Sequence, residues 1–598
     1  MKEFFLAEFN FDKTIPTGHA SWESESLTLP GARFLWKSSS SLIAIQRQAV
    51  WTVFLWGAAF HKTENKTARE LAQQISLDLV HGVSLHSSLV SLEGSYGIVA
   101  WNETESRLLI ATDPIGMTKV YYGKTNGKVV VSSHAQLVAR KQDCFDISGK
   151  GLSILFSIKG IIQPYSIFKN VSTLEPAEIL ELTTRGEESR RYWSVLDNVV
   201  PFQGSLVKAE EKLQILLETT LQKYPSVNNG LVGVSMSSGV DSALLAALLV
   251  RGGIPAQGLT VGYNPRTKYD ETQGAVENAK RIGLPIQEVQ VSDKDVKNII
   301  DYVTQNLPEP LGDATVLPQL VMTLASRDKI AYIIDGTGAD NIFGGMQKFI
   351  AERYARQYLR IPQLIRRGLI RPVLNMLPSS RKSEFTNVVR KMQKFSYGVE
   401  LNETDQKVYW SRFMSKEAVE QLILPAFSPD GYLADSLLLG FRAEVPARYD
   451  EFFASTYTSI RGTMPTHATQ KIVTLQYASG KKYYTPFLTP SMIEFAVSLP
   501  TSYKIAGKET KLVLRRAAAK LLPEGCTSQR KATFSPPIGR WLMGPLKSEF
   551  MDLLKGNDFF NADAVEKMIS RQVSGWRDWQ WELWLVFIFL KWIKEVIR

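Results

Sequence analysis

One string constrains this chain more than any other: Val234-Ser-Met-Ser-Ser-Gly-Val-Asp-Ser242. The apolar run Gly230–Val234 before it reads as a buried strand, and Ala243–Val250 after it reads as a helix packed on that strand. Ser237, Ser238 and Gly239 therefore fall in a strand-to-helix turn. Backbone N–H groups and small hydroxyls there face an anion at the helix N-terminus, as a phosphate site requires. Asp241 follows at once, and a carboxylate beside a phosphate site serves to hold a divalent cation, so Mg2+ is expected with ATP. The bland alternative is a capped tight turn.

The string resembles the pyrophosphate loop, S-G-G-x-D-S, of the ATP pyrophosphatases. Ser238 stands where that family has a second glycine. The resemblance extends Met236, Ser237, Ser238, Gly239, Val240, Asp241 and Ser242 to nucleotide contact.

At 598 residues the chain exceeds one core and implies several domains. Its formal net charge of +11 permits nucleic acid, phosphates or an acidic partner without choosing among them. Two cysteines, Cys144 and Cys526, argue against a disulfide framework or a cysteine metal site. The longest apolar run, Leu583–Leu590, is far short of the roughly 20 residues of a membrane span, and no signal peptide is evident. A cytoplasmic protein without a membrane span is the expectation.

Residues 1–200 read as short β segments with sparse helix, at Ala68–Leu79 and Gly151–Ile158. Glu93–Trp101, Leu108–Asp113, Gly116 and Tyr121-Tyr122 resemble the class II glutaminase domain of asparagine synthetases, an α/β sandwich. That domain works through an N-terminal cysteine whose α-amine is the base. Lys2 follows Met1 here, and no cysteine precedes Cys144. The expectation is a degenerate domain kept as scaffold.

Residues 201–598 change to a βαβ pattern, with strands at Gly258–Gly262, Ile286–Val291 and Ile330–Ile334 and helices at 271–282 and 316–326. That alternation predicts a doubly wound parallel sheet with ligand at the carboxyl ends of its strands, carrying helical additions. The loop Asp335–Gly345 resembles the synthetases' S-G-D-G-G-D-E-L-F-G-G. By that match Asp340 shares magnesium with Asp241, and Met236, Val261, Asp335 and Gly336 contact adenosine. Asp335, Thr337, Ala339 and Asn341 depart from the pattern.

Further on, Pro465 and Lys471 match an L-P-x-x-x-x-x-K run, with Met464 at its first position, and Lys471 is carried over as catalytic. Pro486–Leu488 matches P-F-L-D. Lys511 and Arg515 match K-x-x-L-R. Arg530-Lys531 to Phe534 match R-K-x-x-F, which places Lys531 over the phosphates as pyrophosphate leaves. The family's E-A-R falls on Lys482, Tyr483 and Tyr484, so the carboxylate that serves as a proposed base in the relatives is absent. Residues 348–394 hold twelve Lys or Arg against Glu352 and Glu384, either a solvated face or a wall toward an acidic ligand. Trp576, Trp579, Trp581 and Trp584 read as core or, alternatively, a stacking surface.

The whole resembles asparagine synthetase-like enzymes, and among them most the lasso peptide cyclases. The resemblance implies ATP-dependent adenylation of an Asp or Glu side chain in a precursor peptide. The peptide's N-terminal amine then closes a macrolactam. It also implies a leader peptidase and a leader-recognition protein as partners, and no nucleic acid. A β-lactam synthetase-type ligase, an ammonia-dependent asparagine synthetase and a tRNA-modifying pyrophosphate-loop enzyme remain as alternatives.

Overall fold

The computed structural model describes residues 1–11, 25–38, 42–125, 127–223, 230–267, 270–326, 328, 330–381, 383–427, 432–507, 509–526 and 535–597. The first 191 residues build two six-stranded sheets laid face to face. One runs in the order Ser172–Thr173, Tyr121–Thr125, Lys128–Ser132, Phe4–Asn10, Ala32–Lys37, Glu25–Leu29. The other runs Gly186–Arg191, Glu178–Thr183, Arg107–Thr112, Leu92–Asn102, Trp51–His61, Ile43–Gln48. Every pairing in both is antiparallel. Aromatic side chains fill the space between them. Phe34 stacks on Phe54 at 4.2 Å and Phe5 on Trp56 at 4.7 Å. Helices Ala68–Val80 and Leu85–Val90 share a second apolar cluster with the Trp51–His61 and Leu92–Asn102 strands. The first of these helices starts on a capping box formed by Thr67 and Glu70.

The rest of the chain is built on five parallel strands: Leu231–Ser235, Ala256–Asn264, Ile286–Ser292, Ile330–Ile334 and Lys482–Tyr484. Their order across the sheet is third, second, first, fourth, fifth. Val232, Val234, Leu259, Ile333 and Ile334 are buried, as a sheet covered on both faces requires. The chain order reverses between the first and fourth strands, and the crevice at such a switch point is where doubly wound sheets take their ligand. Helices fill most of residues 347–479 and the C-terminal region. The apolar run Leu583–Leu590 lies in helix Gln580–Ile597, which is buried almost all round. No helix among the described residues is long and apolar enough to cross a membrane.

The sandwich and the parallel-sheet half share one continuous apolar core. Polar contacts pin them as well. Gln470 Nε2 donates to Met117 O at 2.7 Å, and Trp193 Nε1 to Glu494 Oε1 at 2.8 Å. Lys119 and Glu309 form a fully buried ion pair across the junction, with the same ammonium donating to Ile161 O. Removing one member of such a pair strands a buried charge. Lys119→Met is therefore expected to lower stability by about 3 kcal/mol, and adding Glu309→Leu to restore most of it. Guanidinium denaturation of the two variants measures both.

A second buried cation lies just ahead of the site. Lys504 is 1% exposed, donates to Ala496 O at 2.9 Å and lies 4.7 Å above the Phe452 ring. Burial pushes its pKa down to about 7, against a pull upward from Asp450. The unfolded chain keeps that proton to about pH 10, so between the two values the unfolded state binds more protons. Stability from this group therefore rises as pH increases from about 7 to about 9, and Lys504→Met is expected to flatten that rise. Thermal melts at both pH values read it.

Candidate active site

The first strand ends at Ser235 and helix Val240–Arg251 begins four residues after Met236, with Gly239 as its N-cap. The intervening turn is held by its own hydroxyls. Ser242 Oγ accepts from Ser237 N–H at 3.1 Å and lies 3.1 Å from Ser237 Oγ. Ser237 Oγ in turn accepts from Gly239 N–H at 3.1 Å. Ser238 Oγ is buried and has no hydrogen-bond partner among the described residues. An orphan hydroxyl in a turn at a helix N-terminus is a donor left for a ligand, which fits a phosphate oxygen.

Across the switch point the fourth strand ends at Ile334, and Asp335 N–H donates to Tyr484 O at 2.9 Å. Asp335 uses its carboxylate locally, accepting from Thr337 N–H at 2.8 Å and from the Thr337 hydroxyl. Gly338 follows at φ +101°, a left-handed angle that L side chains rarely adopt, and caps the short helix Ala339–Ile342. That turn delivers Asp340.

The two loops meet on one cation. Lys511 Nζ lies 2.6 Å from Asp241 Oδ2 and 2.7 Å from Asp340 Oδ1. Lys511 is itself in the left-handed region, at φ 56°, between the small strand Glu509–Thr510 and helix Leu512–Ala519. A non-glycine residue held there costs about 1 kcal/mol, and such strain collects at functional sites. Gly345 makes room for the assembly. A Cβ there would stand 2.0 Å from Asp340 Oδ1 and 2.2 Å from Lys511 Cε.

The two carboxylates are suited to a divalent cation. Two carboxylates converge on a single positive point, and their charge exceeds that of the one ammonium between them. No cluster of three or more His, Cys, Asp or Glu suited to a metal occurs among the described residues. Magnesium held by Asp241 and Asp340 would complete its shell with phosphate oxygens and water, its usual habit beside nucleotides.

The remaining expected contacts lie just after the first strand, on the second strand and in the loop after the fourth. Met236 is buried, its N–H donating to Leu259 O at 2.8 Å, and Val261 is buried on the second strand. A Cβ on Gly336 would come 3.4 Å from Asp241 Cβ, so Gly336 lies against the loop aspartate. Lys531 lies outside the described residues.

Lys471 belongs to a second group. It opens helix Thr469–Ser479, which runs back to feed the fifth strand, so its start lies at the carboxyl edge of the sheet. Asp313, two residues ahead of the N-cap of helix Val316–Ala325, lies at the same edge for the same reason. Burial pushes the Asp313 carboxyl up, but the Lys471 ammonium, Thr315 and His467 together hold it below the usual range. Burial lowers His467 to about 4, which leaves the imidazole neutral near pH 7. Lys159 completes the group, its ammonium 4.6 Å from the Phe413 ring and 4.3 Å from the Trp581 ring. Nothing local in the sequence announces Asp313, His467 or Lys159 as neighbours, since the three lie on separate segments. The matched K-x-x-L-R run held Lys511, but only the fold gives it a partner pair.

Lys482 is buried on the fifth strand, opposite Tyr332, with its ammonium 5.5 Å from that ring. Burial pushes it down to about 8. Of the C-terminal tryptophans, Trp584 is core, Trp579 and Trp581 pack on the core's edge, and Trp576 is half exposed.

A two-sheet sandwich joined to a parallel sheet, with a phosphate-suited turn and paired aspartates at the switch point, is the arrangement of an ATP-dependent amide-forming ligase. The asparagine synthase family model matches residues 217–594, and the glutamine amidotransferase domain model matches residues 77–193. The chain belongs to the asparagine synthase family, whose members are ATP-dependent, amide-forming ligases. It is 22% identical over 511 residues to asparagine synthetase [glutamine-hydrolyzing] 1 of Bacillus subtilis (strain 168), covering 84% of this chain and 77% of that one. It is 23% identical over 521 residues to a putative asparagine synthetase [glutamine-hydrolyzing] of Mycobacterium tuberculosis (strain ATCC 25618 / H37Rv), with the same coverage. Amidase chyE of Penicillium rubens is 20% identical over 622 residues, 94% of this chain and 88% of that one. Among solved structures, NMN synthetase from Francisella tularensis aligns with 35% of this chain and 94% of its own, at 17% identity and a TM-score of 0.20.

Proposed function

We propose that this chain is a peptide macrolactam synthetase of the lasso cyclase type. It adenylates an Asp or Glu side chain of a precursor peptide with ATP, and the peptide's own N-terminal amine then displaces AMP. A carboxylate is a poor electrophile because it has no good leaving group. Attack of its oxygen on the α-phosphorus releases pyrophosphate and creates an acyl-adenylate. The amine nitrogen then bonds to the acyl carbon, the C–O bond to AMP breaks, and one amine proton must leave.

The residues divide that work. The 237–242 turn holds the phosphates, with Ser238 Oγ as a free donor. Asp241 and Asp340 would hold a magnesium ion, whose charge would offset that of the leaving pyrophosphate. Lys511 orders the two aspartates before nucleotide arrives. Lys471, with Asp313 and His467 at the same edge, is the group placed beside the acylation step, and the amine proton passes to water.

The observation that carries the substrate assignment is Lys482. The relatives' proposed base is a carboxylate at this position, whereas here a buried ammonium lies against Tyr332. A small-acid pocket built on that carboxylate is not available. A leader peptidase and a leader-recognition protein fit as partners that prepare the peptide.

The test mixes purified protein, ATP and magnesium with a candidate core peptide carrying a free N-terminus. Expected are AMP, pyrophosphate and a product lighter by one water with its N-terminus blocked. Glutamine is expected to yield no glutamate. AMP formed instead with aspartate and ammonium, and no peptide product, overturns the reading in favour of an asparagine-forming ligase.

A further inference from the structure

Helix Gly149–Ile158 belongs to the sandwich half and ends on Lys159, which stands in the left-handed region at φ 70°. A non-glycine residue is strained there, and such strain collects at functional sites. Lys159 O accepts from Gly312 N–H at 3.1 Å. A Cβ on Gly312 would stand 2.9 Å from Lys159 Cβ, and one on Gly160 would stand 2.6 Å from Thr466 O. Two glycines thus let Lys159 and Gly160 press between residue 312, next to Asp313, and residue 466, next to His467. Phe413 N–H donates to Ser157 O at 2.7 Å, which brings the Phe413 ring to the same place.

These segments open onto a cleft. Lys159, Asp313, Phe413, His467, Lys471, Trp581 and Glu582 are all half-buried, whereas their chain neighbours Ile158, Thr466, Ile472 and Leu583 are buried. The Lys159 ammonium lies over two rings, Phe413 and Trp581. Among the described residues it has no hydrogen-bond acceptor and no carboxylate at ion-pair distance, and the same holds for the Lys471 ammonium.

Asp313 and Glu582 are the carboxylates that act on Lys159, and Arg381 and Lys394 are the cations that oppose them. Neither carboxylate neutralises it fully. Asp313 Oδ1 accepts from Thr315 N–H at 3.0 Å and from the Thr315 hydroxyl at 2.6 Å. Burial pushes Glu582 toward its neutral form. The cleft therefore keeps two ammonium groups with open donors, beside aromatic walls. Ammonium donors of this kind take a carboxylate or carbonyl oxygen, and the rings suit the carbon chain that carries it.

We infer that Lys159 is a substrate-binding residue of the ligase, its ammonium holding an acceptor oxygen of the acid that the enzyme activates, alongside Lys471. The sandwich half then completes the synthetase site as well as supporting it. The inference rests on the ligase activity and not on which acid is activated.

The test is ATP–pyrophosphate exchange by the full chain with magnesium, run with the core peptide and with aspartate. In Lys159→Met the KM for the activated acid is expected to rise about tenfold or more, the size of a charge-assisted hydrogen bond, while the KM for ATP stays within about twofold. Lys159→Arg keeps the donors and is expected to recover most of the loss. Gly312→Ala leaves the ammonium in place but crowds Lys159 Cβ, and is expected to raise the same KM. An unchanged acid KM in Lys159→Met overturns the inference. So does a rise in both KM values together, as a general defect of the fold would give, or an arginine variant no better than the methionine one. A parent that exchanges with aspartate and not with the peptide overturns the macrolactam reading alone, and the aspartate KM then decides the role of Lys159.

Discussion

Asp340→Asn is expected to lower ATP–pyrophosphate exchange by about a thousandfold while leaving the melting temperature nearly unchanged. The two effects separate because of where the carboxylate sits. Its side chain is 34% exposed, against 10% for Asp241, so the amide can be solvated in its place. An amide of the same shape keeps one hydrogen bond to Lys511 but loses the charge that a metal needs. Asp241→Asn is expected to lose activity to the same extent and to cost stability as well, since that group is buried against the helix it begins. Exchange by Asp340→Asn within about tenfold of the parent would remove Asp340 from the metal site.

Lys511→Met is the second large effect, and it acts first on the fold. The parent holds two carboxylates on one ammonium that is 4% exposed. Without the cation the two acids repel across a poorly hydrated gap, and stability is expected to fall by about 3 kcal/mol in metal-free buffer. Magnesium then has more to offset. Binding to the folded state alone stabilises by mass action, so magnesium should raise the melting temperature of Lys511→Met more than that of the parent. If the variant melts like the parent with and without magnesium, Lys511 is not what holds the two aspartates together.

The parts of this site that were legible in the sequence are the local ones. The turn at 235–242 carries strand, small hydroxyls, aspartate and helix within one short string. The Asp340 loop was readable only through its likeness to the S-G-D-G-G-D-E-L-F-G-G run, and the structure adds that Gly338 sits at a left-handed angle. What sequence could not give is convergence. Lys511 lies 270 residues from Asp241, and no periodicity joins them. The fifth strand, Lys482–Tyr484, is three residues long, too short to show alternation. In the sandwich the first strand, Phe4–Asn10, lies mid-sheet and is buried on both faces, so its apolar run has no period-two pattern to read. The basic count over 348–394 was visible as charge alone. Only the structure shows that Leu364, Leu369 and Phe385 are exposed in the same stretch.

The account turns on nucleotide and metal meeting between the Ser237–Ser242 turn and the Gly338–Asp340 turn. Crystals grown with manganese and a non-hydrolysable ATP analogue test this most directly, by the anomalous signal of the metal. The account predicts a manganese peak bound by Asp241 and Asp340, phosphate oxygens against Ser238, and Lys511 displaced from its bridging position. A nucleotide bound elsewhere, with Lys511 still spanning the two aspartates, would contradict it.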